Sequence, residues 1–208
     1  MTILILCCWA LTMLLCLPRY IKDKRAKYAL LFKWLGTFSA AVMGIVGAAQ
    51  YGGAAWLAAA GLFVCALADV ALEKRFHIGV ACFAAGHVCY VAWFLNRTPV
   101  GLAHGIAFAV LIGIALATIH CWTGIFRKEA APLVGYAVFL SAMGACGVAC
   151  APLGLSGAMT AVGAVLFVAS DMMVYRGLLT PWGRKADLFA MGIYYSAQLL
   201  FGTACLLG

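Results

Sequence analysis

The sequence predicts an all-α, polytopic transmembrane helix bundle of eight spans, and three observations carry that prediction. Hydrophobic residues make up 67% of the chain and charged residues only 10%, whereas an ordinary soluble domain carries about 25% charged residues. The apolar residues fall into runs of about 20, the length a helix needs to cross a bilayer. Short loops separate the runs, and basic residues gather in alternate loops.

Taken in order, the first run covers residues 2–17. It has no basic segment ahead of it, and Leu17-Pro18-Arg19 lacks the small residues of a cleavage site, so it reads as a retained span rather than a signal peptide. The second, 29–49, holds one cation, Lys33, a turn inside the start and placed to snorkel toward headgroups. The third, 53–72, carries Asp69 as its one charge, and the fourth, 78–95, carries His87 and Tyr90, three residues apart and so on one face. The fifth, 100–122, opens with Gly101-x-x-x-Gly105, a spacing that suits close helix packing. The sixth is 132–151. The seventh, 155–175, holds Ser170 beside Asp171. The eighth, 187–207, sets Tyr194 and Tyr195 one turn before Gln198, and Asp187 reads as its N-terminal cap. Residues 1–208 thus form a single integral membrane domain.

The first, third, fifth and seventh loops hold Arg19, Lys22, Lys24, Arg25 and Lys27; Lys74 and Arg75; Arg127 and Lys128; Arg176, Arg184 and Lys185. The even loops hold only Arg97. By the positive-inside rule the odd loops are cytoplasmic and both termini face outward, as expected of a multi-pass protein of the cell membrane. The net charge of +8 therefore marks topology and contact with anionic lipid, not a nucleic-acid partner. Nearly all of the ten cysteines lie inside apolar runs, with no C-x-x-C pair and no Cys/His ligand spacing. They read as small hydrophobes, and no metal, no cofactor and no obligate protein partner is expected. All five prolines lie at span edges, which counts against a transporter built on broken helices. Trp93, Trp122 and Trp182 suit interfacial anchoring.

The two aspartates stand out, because a carboxylate near the centre of a spanning helix costs about 2.5–3.5 kcal/mol on insertion scales. Residues that costly are usually retained for function. At ~1.5 Å per residue, Asp69 and Asp171 lie roughly 6 and 7 Å inside the boundary at the odd-loop end, His87 about 14 Å, Tyr90 about 18 Å, Tyr194 and Tyr195 roughly 10–12 Å and Gln198 about 16 Å. Most hydrogen-bonding side chains thus gather in one half of the membrane, as a polar pocket requires. The bland reading of one such aspartate is a staple to a neighbouring cation; two at matched depth beside polar partners favour a site. Asp69 and Asp171 are also 102 residues apart on spans four helices apart, the mark a weak parallel four-helix repeat would leave.

These residues resemble the YhhN-like lysoplasmalogenase family of eight-helix membrane proteins. The likeness lies in Gly61-Leu62-Phe63-Val64-Cys65-Ala66-Leu67-Ala68-Asp69-Val70-Ala71-Leu72, continuing through Phe76, Gly79, Phe83, Gly86-His87, Tyr90 and Phe94, and in Gly163-Ala164-Val165-Leu166-Phe167-Val168-Ala169-Ser170-Asp171 with Tyr194-Tyr195-Ser196-Ala197-Gln198-Leu199-Leu200. Weaker matches are Lys33-Trp34-Leu35 and Pro132…Tyr136…Met143. The chain has Ala68-Asp69 and Lys33-Trp34 where the family usually has Gly-Asp and Lys-Pro.

The resemblance implies hydrolysis of the vinyl ether bond of lysoplasmalogens, with a lysophospholipid substrate, membrane lipids around it and a fatty aldehyde and a glycerophospho-alcohol as products. Such ethers are protonated at carbon, and water traps the resulting oxocarbenium ion. One carboxylic acid and one carboxylate suit those steps, as in glycosidases. Asp69 and Asp171 are the expected catalytic pair, in either order. Lys33, His87, Tyr90, Ser170, Tyr194, Tyr195 and Gln198 are expected to bind substrate or support the pair. A transporter or lipid-binding protein that uses the aspartates for ions or headgroups is the competing class.

Overall fold

A computed structural model of the chain describes residues 1–24, 28–123, 131–179 and 183–208. Arg25, Lys27, Arg127, Lys128, Pro181 and Trp182 lie outside the described residues. Eight helices are long and apolar enough to cross a membrane: α1 (Thr2–Lys22), α2 (Ala29–Tyr51), α3 (Ala55–Lys74), α4 (Phe76–Leu95), α5 (Leu102–Trp122), α6 (Ala131–Ala149), α7 (Gly154–Leu179) and α8 (Arg184–Leu207). The chain is a multi-pass membrane protein of the all-α class, and each helix falls on its predicted span to within a few residues.

Two details at the helix ends differ from expectation. Helix α1 runs past residue 17 to Lys22, so Pro18 sits inside it. Pro18 lacks an N–H and cannot close the ordinary bond one turn back; the preceding residues, Leu11–Cys16, widen into a π-helical turn, with Leu17 N–H bonded to Thr12 C=O. Asp187 is not the cap of α8. The cap position is Gly183, and Asp187, in the first turn, bonds Lys24 at 2.7 Å.

Six helices close a ring in the order α2, α3, α4, α6, α7, α8 and back to α2. Helix α1 lies outside against α2 and α8, and α5 outside against α6. The pattern is nearly the same in both halves of the chain. The second helix of each half packs on its own third helix and on the fourth helix of the other half (α2 on α3 and α8; α6 on α7 and α4). This is the contact pattern of a parallel four-helix repeat.

The ring is tight because small residues admit close approach. A side chain at Gly47 would strike the Cys205 backbone of α8, and one at Gly147 would strike Ala164 of α7. The predicted Gly101–Gly105 pair plays no such part: nothing lies within 4 Å of a side chain placed at Gly105, because α5 is the helix least enclosed by protein.

Basic loops one and seven meet at one end, where Arg184 also bonds the carbonyls of Ile21 and Lys22. Arg97 lies at the other end, on Ser156 and Thr160 of α7 and over the ring of Trp93. That packing buries Trp93, so it is not an interfacial anchor.

Candidate active site

Asp69 sits near the end of α3, where α2 and α8 pack against it. Thr37 of α2 and Tyr194 of α8 both donate to its Oδ2, at 2.5 and 3.0 Å. Behind Tyr194 the donors line up: Tyr90 donates to Gln198 Oε1 at 2.7 Å, and Gln198 Nε2 donates to the Tyr194 oxygen at 3.2 Å. On the other side, Lys33 Nζ stands 3.9 Å from Asp69 Oδ1 and bonds Glu73 Oε1 at 2.8 Å. Tyr20 of α1 donates to that same Glu73 oxygen at 2.9 Å. Lys33 is buried within this carboxylate pair, so it does not snorkel to headgroups as its sequence position suggested. Only Glu73, with its side chain 45% exposed, carries the network to the surface.

Asp171 occupies the corresponding place in the second half. Tyr136 of α6 donates to its Oδ2 at 2.5 Å, and His87 of α4 touches the same phenol through Nε2 at 3.0 Å. His87 Nε2 is 3.9 Å from the carboxylate itself. Each aspartate is therefore met by the second helix of its own half and the fourth helix of the other. The two sites differ in charge and access. Among the described residues no Lys or Arg pairs with Asp171, and its side chain is 14% exposed against 3% for Asp69.

The two networks share no hydrogen-bond partner, but their rings touch. Phe167 packs edge-on against Tyr194 of the first network and His87 of the second, with centroids 5.5 and 5.0 Å apart. Phe83 packs on both Phe167 and Tyr194. The two carboxylate networks thus meet through the ring of Phe167. Two open surface depressions lie elsewhere. One, about 370 Å³, is lined by Lys185, Leu188, Phe189, Gly192 and Ile193. The other, about 260 Å³, is next to Arg97.

Of the predicted residues, Tyr194 and Lys33 stand at Asp69, Gln198 and Tyr90 extend behind Tyr194, and His87 stands at Asp171. The other two bond backbone carbonyls. Ser170 donates to the Ala190 carbonyl at 3.3 Å and fastens α7 to α8. Tyr195 donates to the Lys33 carbonyl at 3.1 Å, its ring filling the space that Gly36 leaves. The sequence reading passed over Thr37 and Tyr136 as site residues, and Tyr20 altogether. Thr37 is one turn from Lys33 and so on its face. Tyr136 lies five residues inside α6, a depth that the sequence gives without the direction of the side chain. Nothing in the sequence marked Tyr20, which depends on how α1 docks. Among the described residues no group of three or more His, Cys, Asp or Glu side chains gathers that could hold a metal ion.

Fold and site define a multi-pass membrane protein with a carboxylate in each half of a repeated helix ring. The chain belongs to the YhhN family, whose model matches residues 28–205, every span but α1. No curated protein and no solved structure matches it.

Proposed function

We propose that the chain is a hydrolase of the lysoplasmalogenase type, cleaving the vinyl ether bond of a lysophospholipid to a fatty aldehyde and a glycerophospho-alcohol. The observation that carries this reading is the inequality of the two aspartates. A vinyl ether needs an acid that gives a proton to carbon and a separate negative charge that steadies the oxocarbenium ion. Asp171, with a phenol and an imidazole nearby but no Lys or Arg paired with it among the described residues, is suited to be the acid. Asp69, with Lys33 beside it and two hydroxyl donors on one oxygen, is suited to remain a carboxylate.

Family membership supports the choice of reaction, and the apolar surroundings suit a lipid substrate drawn from the bilayer. The basic loops favour an orientation with the site in the cytoplasmic half and both termini on the opposite side. The test is aldehyde release from a purified lysoplasmalogen in detergent, where hydrolysis persists and transport has no meaning. Wild-type protein should release aldehyde, in EDTA as well, and neither Asp69→Asn nor Asp171→Asn should do so at near the wild-type rate. Near-wild-type turnover by either folded variant overturns the two-carboxylate mechanism.

A further inference from the structure

The chain from Asp171 through Tyr136 to His87 ends on an atom with nothing to bond. His87 Nδ1 is the buried side-chain nitrogen or oxygen that lacks a hydrogen-bond partner among the described residues, on a ring with 0% exposure. Buried polar groups are nearly always satisfied, and leaving one bare costs about 1–3 kcal/mol. Such an atom marks a place for a ligand.

Counting protons says which kind. The Tyr136 hydroxyl has one hydrogen. When Asp171 is a carboxylate, that hydrogen goes to Asp171 Oδ2, so His87 must donate from Nε2 to the phenol oxygen. Nδ1 is then a bare lone pair, an acceptor for an O–H group. When Asp171 carries a proton on Oδ2, the oxygen that faces Tyr136, the chain reverses: Asp171 donates to Tyr136, Tyr136 donates to Nε2, and the ring hydrogen is held on Nδ1. The tautomer of His87 is thus tied to the proton on Asp171 through one phenol.

The geometry points to a proton relay in which a water molecule, the second substrate, sits at His87 Nδ1 and returns a proton through Tyr136 to Asp171. This rests on the vinyl-ether reading above. In the first step Asp171, protonated on Oδ1 while Oδ2 still accepts from Tyr136, gives that proton to the vinyl carbon remote from oxygen; the C=C π pair forms the new C–H bond and the other carbon becomes part of an oxocarbenium ion. Asp171 is now a carboxylate, the Nε2 hydrogen has not moved, and Nδ1 is free to accept. As the water oxygen bonds to the cationic carbon, one water O–H bond breaks. Its proton goes to Nδ1, the Nε2 hydrogen goes to Tyr136, and the Tyr136 hydrogen goes to Asp171. The products of these steps are a hemiacetal and an enzyme with the Asp171 proton on Oδ2 and the ring hydrogen on Nδ1. Collapse of the hemiacetal runs the chain backward: the C–O bond to glycerol breaks as its oxygen takes the Nδ1 proton, Tyr136 protonates Nε2, Asp171 Oδ2 protonates Tyr136, and the hemiacetal hydroxyl gives its proton to Asp171 Oδ1, which yields the aldehyde and the starting enzyme. His87 touches the reacting water; Tyr136 acts through it.

Two measurements on the purified full chain test this. Tyr136→Phe should lower kcat about 100-fold, in the range of a lost general acid–base group, with KM unchanged, and His87→Gln should do the same. A raised KM with intact kcat in either variant overturns the relay and makes Nδ1 a contact for a substrate hydroxyl. The second readout needs no turnover. In ¹⁵N-histidine-labelled protein with four histidines, His87→Gln identifies the His87 signals. Asp171→Asn, whose amide donates toward Tyr136 as a protonated acid does, should move the ring hydrogen from Nε2 to Nδ1, and Tyr136→Phe should abolish that response. An unchanged His87 tautomer in Asp171→Asn overturns the relay even in an active enzyme. A coupled tautomer in a protein that releases no aldehyde overturns the vinyl-ether reading and supports the hydrogen-bond chain.

Discussion

The two aspartates occupy matching positions in a repeated architecture, yet their surroundings have diverged in a way that separates stability from chemistry. Asp69 has two hydroxyl donors, a buried lysine and a queue of Tyr90, Gln198 and Tyr194 behind it. Its bonds join α2, α3 and α8. Asp171 has one phenol, one imidazole at a distance and a partly open side. On the proposed reading, a carboxylate woven into three helices holds the bundle together as well as serving the reaction, whereas one with few bonds is free to exchange a proton.

The largest expected effect follows from that contrast. Asp171→Asn should lower aldehyde release by about 1,000-fold or more, within the general acid range, while the thermal midpoint in detergent changes little. Asp69→Asn should lower turnover less, by about 100-fold, and should also cost roughly 1–3 kcal/mol of stability, since an amide cannot accept both donors as a carboxylate does. Turnover and thermal unfolding measured side by side decide it. Equal losses of activity and stability in the two variants would break the comparison and return the aspartates to equivalent roles.

Next in size is Lys33, the cation that distinguishes the first site. Lys33→Met leaves Asp69 and Glu73 without their shared counter-charge. Breaking a buried pair in this way costs about 3–5 kcal/mol, and the outer partner, Glu73, is nearly half exposed, so the lower end is expected. Adding Glu73→Gln should recover part of the loss. A double-mutant cycle on thermal stability measures the coupling, and additive losses would show that Lys33 contributes through packing alone.

How much of this was legible in the sequence divides along the same line. Bilayer length and hydropathy mark the spans directly, and the expense of an intramembrane charge marks Asp69 and Asp171. Depth along a helix places His87, Tyr194 and Gln198 in the right layer because 1.5 Å per residue is fixed by the backbone. Which way a side chain points around the helix is set by its neighbours, and there the sequence was silent. Tyr194 and Tyr195 are adjacent in sequence and equal in depth, yet one meets Asp69 and the other a backbone carbonyl. Lys33 looked like a headgroup anchor because its partner Glu73 sits on another helix, 40 residues away. The same gap hid Tyr136, whose role appears only when α6 is set beside α4 and α7.

The smallest effect probes the outer edge of the Asp69 network and the docking of α1, the span outside the family match. Tyr20 donates to Glu73 and holds its ring beneath Lys33 Nζ, 5.6 Å from the centroid. Tyr20→Phe removes the hydroxyl and keeps the ring, so the cation–π contact survives and only one hydrogen bond is lost. A bond to a charged acceptor contributes about 1.5–3 kcal/mol where water is absent; Glu73 is open to solvent, which replaces most of it, so a loss near 0.5 kcal/mol is expected. Turnover should stay within about twofold, because Glu73 keeps Lys33 in place and Lys33 keeps Asp69. A turnover loss as large as that of Asp69→Asn would mean that the first network works as a proton path to the surface through Glu73. It would then cease to be the static half of the pair.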